Sequence, residues 1–426
     1  MYIILGAGIS GLSAGYHLKK KNKRAIIFEK NDRWGGLCDN FEINGYRFDK
    51  CVHFSFTKNN YVKKMFSSSS PYYFFKPPIS YNYYNGLWIK HPVQNNLLKL
   101  PVEDRIRIIK SFIEKYNKYE NKNPENYEEW LRYQYGDYFA EKFPMKYTNK
   151  YWTYPAKEMS VSWIGNRMHK TTIDEVLFGA MSDNTENAYY TDEMRYPKKG
   201  GYKSFFKFMP EYCNIKYNHE AIEIDTNKKT VLFKNGYKTN YEVLISSLPL
   251  PELIKIIKDV PSEVSDVANK LEASSVHLVS IGFNRPDIAK YLWFYIYDKD
   301  ILPARAYSPN LKTPDNVPKD CSSLQFETYS SKRKPLKMTG DNLLNHVIEK
   351  GINMKLFSND DIKITDYRKI DYGNVIFFHN MEKYRKIVHD YLDKVGIRYI
   401  GRFGEWDYLW SDQSLLSGKK VVEENL

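Results

Sequence analysis

Gly6-Ala7-Gly8-Ile9-Ser10-Gly11 follows the apolar run Tyr2-Ile3-Ile4-Leu5 and precedes a helical segment, Leu12 to Lys20. A GxGxxG triad between strand and helix reads as a dinucleotide-binding turn. Gly6 permits the tight turn, Gly8 lets main chain approach a pyrophosphate, and Gly11 lets helix and strand pack closely. The helix N-terminus then offers unpaired N–H groups and a partial positive charge to phosphates. Arg24 to Phe28 reads as a second strand. Glu29 closes it at the distance past Gly11 where an acid holds a ribose hydroxyl pair. Together these predict a βαβ start that binds a dinucleotide. Just beyond, Arg33-Trp34-Gly35-Gly36 supplies a glycine doublet, which permits a second close approach of main chain to the cofactor.

Farther along, Asn44-Gly45 between Phe41 and Phe48 predicts a hairpin turn. Ile106, Ile109, Phe112, Ile113 and Tyr116 recur at helical spacing across 102–117, Pro124 opens another helix, and Gly136 stops it. Short strands are expected at 221–224, 230–233, 243–245, 276–283 and 292–297, with a tight turn at Asn235-Gly236. A helix is expected over 341–357, a strand over 397–400, and a last helix from Asp412 onward. Glycine loops near both ends suggest one domain assembled from separated segments. The expected fold is α/β: a Rossmann-like dinucleotide-binding domain with a helical insertion and an antiparallel-sheet substrate domain. Residues 1–90, 190–260 and 385–426 are assigned to the cofactor domain, 91–189 to the helical domain and 261–384 to the substrate domain.

The formal net charge of +13 admits anionic partners, but Lys19-Lys20-Lys21 and Lys332-Arg333-Lys334 are too short for a nucleic-acid tail. Solvated lysine faces plus a diphosphate site account for the charge. The 37 tyrosines suit a wet aromatic cleft, and they equally follow from a composition rich in Lys and Asn. Cys38, Cys51, Cys213 and Cys321 show neither CxxC spacing nor histidine partners, so a metal site is not expected and a reducing compartment is. No run is apolar enough to span a membrane, and a strand beginning at Tyr2 leaves no room for a signal peptide. A cytoplasmic protein is expected.

The early glycine motifs resemble the flavoprotein family that includes amine oxidases, protoporphyrinogen oxidase and UDP-galactopyranose mutase. Gly401-Arg402-Phe403-Gly404-Glu405-Trp406 resembles the segment with which that family completes its FAD site. Further segments resemble UDP-galactopyranose mutases, above all the eukaryotic type. They are Pro92-Val93-Gln94-Asn95-Asn96-Leu97 and Leu100-Pro101, then Tyr147, Lys150-Tyr151-Trp152, Pro155, Met159 and Trp163-Ile164-Gly165-Asn166-Arg167. Arg195-Tyr196-Pro197 with Gly200-Gly201, Trp293-Phe294-Tyr295, Arg305 and Tyr408 continue the order. The resemblance covers nearly the whole chain.

The resemblance implies FAD, active in its reduced form, held by Gly6, Gly8, Ile9, Ser10, Gly11, Glu29, Lys30, Gly35, Gly36, Leu37, His53, Arg402, Asp412, Gln413 and Ser414. It implies a nucleotide-sugar substrate, UDP-linked, with Gln94, Phe143 and Trp152 at the uracil and Arg167, Arg305, Tyr295 and Tyr408 at the diphosphate. His53, Arg167 and Arg305 are the implied catalytic residues. The implied reaction interconverts pyranose and furanose forms through an adduct between reduced flavin N5 and the sugar, in surface-glycan synthesis. An external reductant such as NAD(P)H and an oligomer are compatible with it. Cys51 and Val52 replace glycines before the flavin-side histidine, His91 replaces a stacking tyrosine, and Asn374 replaces a diphosphate tyrosine, which leaves the sugar open. The alternative is an oxidoreductase of the amine-oxidase type.

Overall fold

The computed structural model describes residues 1–76, 79–119, 123–165, 167–186 and 193–424. Asn166 and the expected domain boundary at 189–190 lie outside them. Strand β1 (Tyr2–Leu5), helix α1 (Ile9–Lys20) and strand β2 (Ala25–Phe28) form the expected unit. The strands sit in a five-stranded parallel sheet ordered Ile397–Tyr399, Val243–Ser246, β1, β2, Asn214–Lys216. Parallel sheets are covered on both faces, so their strands read as unbroken apolar runs. Ile3, Ile4 and Leu5 are accordingly inaccessible to solvent. The final helix, Ser411–Glu424, packs along α1 and returns the C-terminal segment to the cofactor domain.

A second, seven-stranded sheet runs in the order Ile362–Val375, Ala273–Phe283, Ser322–Ser330, Arg305–Tyr307, Trp293–Ile296, Tyr81–Tyr84, Leu87–Lys90. It is antiparallel except where Trp293–Ile296 meets Tyr81–Tyr84 in parallel. The hairpin at 81–90, grouped by sequence with residues 1–90, thus extends this seven-stranded sheet instead. A short hairpin turning at Asn85-Gly86 has an unpaired edge, and the strand at 293–296 takes it up. The strand at 362–375 carries no clean alternation in its sequence and was not expected.

Five helices pack on one another in the middle of the chain: Val102–Lys118, Tyr127–Tyr135, Asp137–Lys142, Pro144–Tyr151 and Ile173–Met181. The second starts at Tyr127 rather than Pro124, because the Asn126 side chain caps it by accepting from the Glu129 N–H at 3.0 Å. In the first, Ile108 and Phe112 face the core. Of the residues whose spacing predicts this helix, Phe112 is buried, whereas Ile106, Ile113 and Tyr116 are 59%, 53% and 53% exposed. The neighbouring helices cover only the Ile108–Phe112 side.

Candidate active site

A cleft of about 1150 Å³ runs from the end of β1 over the N-terminus of α1 and between the two sheets. Its size exceeds the ~300–1,000 Å³ usual for small-ligand pockets. The expected turn builds its floor. A Cβ on Gly11 would lie 2.0 Å from Gly6 O, so only glycine allows the strand-to-helix crossing. Gly36, with φ +59, would bring a Cβ within 3.1 Å of Gly8 Cα, and Gly8 bridges to Gly35 in parallel. Two glycine loops therefore touch main chain to main chain. No side chain caps α1, which leaves its first N–H groups to face the cleft.

Glu29 is 6% exposed at the end of β2. Its Oε2 accepts from Ala7 N–H at 2.8 Å, and its Oε1 accepts from Asn31 N–H at 3.0 Å and Asn31 Nδ2 at 2.6 Å. The carboxylate thereby fastens the glycine turn to β2. Gly6, Gly8, Ile9, Ser10, Glu29, Lys30, Gly35, Gly36, Leu37, His53, Arg402 and Ser414 all line the cleft. Gly11 packs beneath it. Ser411 takes a lining position beside Ser414, whereas Asp412 and Gln413 do not line it; Gln413 Oε1 instead accepts from Trp410 N–H at 2.8 Å.

A smaller cavity of about 170 Å³ adjoins it, walled by His53, Tyr151, Trp293, Tyr295, Arg305, Tyr329, Asn374, Arg402 and Tyr408 among others. Three guanidiniums converge on one phenol pair there. Tyr151 and Tyr408 hydroxyls are 3.2 Å apart. Arg305 lies 5.2 Å from the Tyr151 ring centre, and Arg402 and Arg167 lie 4.7 and 5.0 Å from that of Tyr408. Arg167 donates to Trp163 O and Tyr408 O, both at 2.9 Å, which holds it at the rim rather than in the wall. Among the described residues the buried Nε atoms of Arg167 and Arg402 have no hydrogen-bond partner. Unsatisfied buried donors are costly, and a polyanion is the ligand that satisfies guanidinium donors best.

Arg305 is held by a buried carboxylate. Its Nε bonds to Glu327 Oε2, Tyr329 OH donates to the same oxygen at 2.5 Å, and Glu327 Oε1 accepts from Val52 N–H at 2.7 Å. Burial opposes the charge on Arg305, but Glu327 and the surrounding tyrosines outweigh it and hold the guanidinium protonated. Behind the loop, Asp49 and Lys312 form a buried pair at 3.0 Å. Asp49 also accepts from Tyr196 OH at 2.6 Å and Tyr202 N–H at 3.0 Å. His53 stacks on Tyr202 with ring centres 5.0 Å apart, and its Nδ1 lies 3.1 Å from Cys51 O. Burial lowers its pKa to about 4, so the imidazole is neutral at neutral pH. Cys51 sits at φ +73, the left-handed region that glycine favours. Burial, then Glu327, pushes its thiol well up, so it stays protonated.

A family model described as an NAD(P)-binding Rossmann-like domain matches residues 4–68. Over its full length the chain is similar to a solved structure titled reduced UDP-galactopyranose mutase: 25% identical, covering 99% of this chain and 94% of that one, with a TM-score of 0.92. The chain is UDP-galactopyranose mutase-like. Cyclohexylamine oxidase from Brevibacterium oxydans shares the fold at 12% identity, covering 99% and 97% of the two chains, with a TM-score of 0.70. Among curated proteins, a 1-hydroxycarotenoid 3,4-desaturase from a Flavobacterium species is 53% identical over 47 residues, 11% of this chain and 10% of that protein. An all-trans-retinol 13,14-reductase from Danio rerio is 36% identical over 52 residues, 12% of this chain and 9% of that protein. The match thus spans about a tenth of those relatives. Together the cleft and the comparisons give the mutase-like chain a flavin-type dinucleotide site.

Its other expected substrate residues divide. Tyr295, Arg305 and Tyr408 line the smaller cavity. Trp152 is 4% exposed against Trp163 and Tyr408, at 4.8 and 5.2 Å between ring centres, one layer behind the wall. Phe143 is fully buried among Tyr84, Phe139 and Tyr297, and Gln94 is 9% exposed on a short turn. Neither lines the two cavities. His91 packs on Tyr295 at 4.8 Å, and Asn374 Oδ1 accepts from Arg402 Nη2 at 2.5 Å. Sequence reading missed Glu327, Asp49 and Lys312. For Glu327 no signal was present: Ser322–Ser330 reads as a mostly polar stretch, SSLQFETYS, and only the fold shows that all of it is buried.

Proposed function

We propose that the chain is a flavin-dependent isomerase that interconverts pyranose and furanose forms of a UDP-sugar. The observation that carries this reading is the set of three arginines around the Tyr151–Tyr408 pair, directly beside the dinucleotide cleft. A nucleoside diphosphate sugar brings a diphosphate for the guanidiniums and a hydroxyl-rich ring for the tyrosines. The likeness to reduced UDP-galactopyranose mutase supports the same assignment.

FAD fits the residues that would hold it. Gly8, Gly35 and Gly36 leave room for a pyrophosphate, the open α1 N-terminus faces it, and the Arg402 side chain lines the cleft. When bound in its reduced form, the flavin supplies the nucleophile that the side chains do not. Arg305 and Arg402 neutralise the leaving diphosphate. His53, neutral, packs between Tyr202 and the cofactor space without competing for a proton. The aromatic wall of Trp293, Phe54 and Phe56 limits water at the sugar. NAD(P)H is the natural external reductant, surface-glycan synthesis the process served, and the cytoplasm the place. Among the described residues no helix is long and apolar enough to cross a membrane.

The test is turnover under dithionite. Reduced protein should convert a UDP-sugar to its ring isomer with no net oxidation, while the oxidised protein should not. Oxygen-coupled oxidation of an amine without sugar isomerisation would replace this reading with the oxidase one. The desaturase and reductase matches do not favour that alternative, because they cover only the cofactor turn.

A further inference from the structure

Asn374 enters the site through a fault in the sheet. Where Ala273–Phe283 pairs with Ile362–Val375, Ser274 faces Asn374 while Val276 faces Ile370, so Asp371-Tyr372-Gly373 stand opposite Ser275 alone. Such a bulge bends its strand and re-aims a side chain. Neighbours pin the extra residues. Ser275 Oγ donates to Asp371 O at 3.2 Å, and Tyr372 OH donates to Glu252 Oε1 at 2.7 Å. The Tyr372 ring lies 5.6 Å from that of Phe403, the residue after Arg402. A Cβ on Gly373 would fall 2.3 Å from Val276 Cγ2, so the tight return of the chain depends on glycine. The bulge delivers Asn374, 7% exposed, to the wall of the smaller cavity.

There Asn374 Oδ1 accepts from Arg402 Nη2 at 2.5 Å, and Leu409 O accepts from Arg402 Nη1 at 3.1 Å. Both acceptors are neutral, and among the described residues Arg402 forms no ion pair. Arg305 differs, because the carboxylate of Glu327 holds it and offsets its charge. Arg167 is tied to two carbonyls at the rim. Arg402 is therefore a guanidinium that lines both cavities and keeps its whole charge. An aspartate at 374 would fill the same space and hold Arg402 more firmly, but it would neutralise that charge within the protein. A neutral acceptor orients the guanidinium and leaves its charge to a ligand.

We propose that Asn374 is a positioning residue: it turns Arg402 toward the smaller cavity without neutralising it, so that Arg402 meets the diphosphate of the nucleotide sugar. The inference rests on the UDP-sugar reading above and adds the residue that sets the preference for a diphosphate over an uncharged nucleoside. Calorimetric titration of the FAD-loaded chain with UDP and with uridine tests it. Asn374→Asp should melt no lower than the parent, because its contact with Arg402 becomes an ion pair. It should nevertheless bind UDP ~10-fold or more weakly, the loss of one hydrogen bond to a charged group. Its uridine affinity should match the parent's. Asn374→Leu, which keeps the volume but cannot accept, should weaken UDP binding and also melt lower, since it leaves a buried donor unpaired. If Asn374 only held the bulge, affinity would follow stability in both variants. Asn374→Asp with parental UDP affinity, or with UDP and uridine weakened alike, would overturn the proposal while the UDP-sugar reading stands. A parent chain that binds no UDP would overturn both.

Discussion

The main-chain N–H of Val52 donates to Glu327 Oε1 at 2.7 Å, across 275 positions of sequence. The other carboxylate oxygen holds Arg305. The loop that carries His53 and the strand that carries Arg305 therefore hang on one fully buried acid.

Removing the link should be costly. Glu327→Ala leaves the Arg305 guanidinium buried without its counter-charge, a change that typically destabilises by ~3–5 kcal/mol. Glu327→Gln retains an acceptor for Val52 and should cost clearly less. Urea unfolding of the two variants checks this. Equal and small losses in both would mean that Arg305 does not depend on the acid.

The two cavities should come apart by mutation. Arg305→Ala should weaken UDP binding by ~1.5–3 kcal/mol, the range for a hydrogen bond to a charged group, and leave flavin content unchanged. Arg402→Ala, which lines both cavities, should lower flavin content as well. Calorimetric titration with UDP, together with the ratio of flavin to protein absorbance, distinguishes them.

Gly11→Ala should lose most of the bound flavin. Its Cβ would fall 2.0 Å from Gly6 O, and the atom in the way is main chain that cannot swing aside. The flavin-to-protein absorbance ratio of the purified variant reads this directly. A variant with full flavin content would show that the turn has room the structure denies it.

Cys51 occupies a left-handed backbone position, φ +73, at a cost of ~1–2 kcal/mol for a non-glycine residue. Cys51→Gly removes that strain and adds a flexible residue to the unfolded chain, worth ~0.5–1 kcal/mol the other way. Its melting temperature should stay close to the parent's. Cys51→Val, β-branched and ill-suited to positive φ, should melt lower than both. Differential scanning calorimetry of the three chains gives the order.

His53 sets a pH dependence of known sign. Burial holds its folded pKa at about 4, below the unfolded value of 6.5. The unfolded chain binds the extra proton first, so the contribution of neutral His53 is complete above pH 6.5 and declines as pH falls toward 4. His53→Gln should flatten that acid limb of the stability profile. Chemical denaturation across the interval, wild type against variant, measures it; identical slopes would place the titration elsewhere.

The sequence by itself determined the cofactor end of the molecule. Gly6 to Gly11, Glu29 and Gly35-Gly36 form a local motif whose function depends on main-chain geometry within a few dozen residues, and that geometry is written in glycine positions and strand periodicity. The helical middle was legible for the same reason. Local pattern located the helix but not its buried side, which the structure puts at Ile108 and Phe112 with Ile106, Ile113 and Tyr116 exposed. Tertiary structure alone decided the substrate end. Glu327 reaches Val52 and Arg305, Asp49 reaches Lys312, and Tyr151 reaches Tyr408 through contacts between strands, helices and loops that are far apart in sequence. A buried charge is stable only beside its partner, and no spacing rule in one dimension names a partner that folding alone brings into contact.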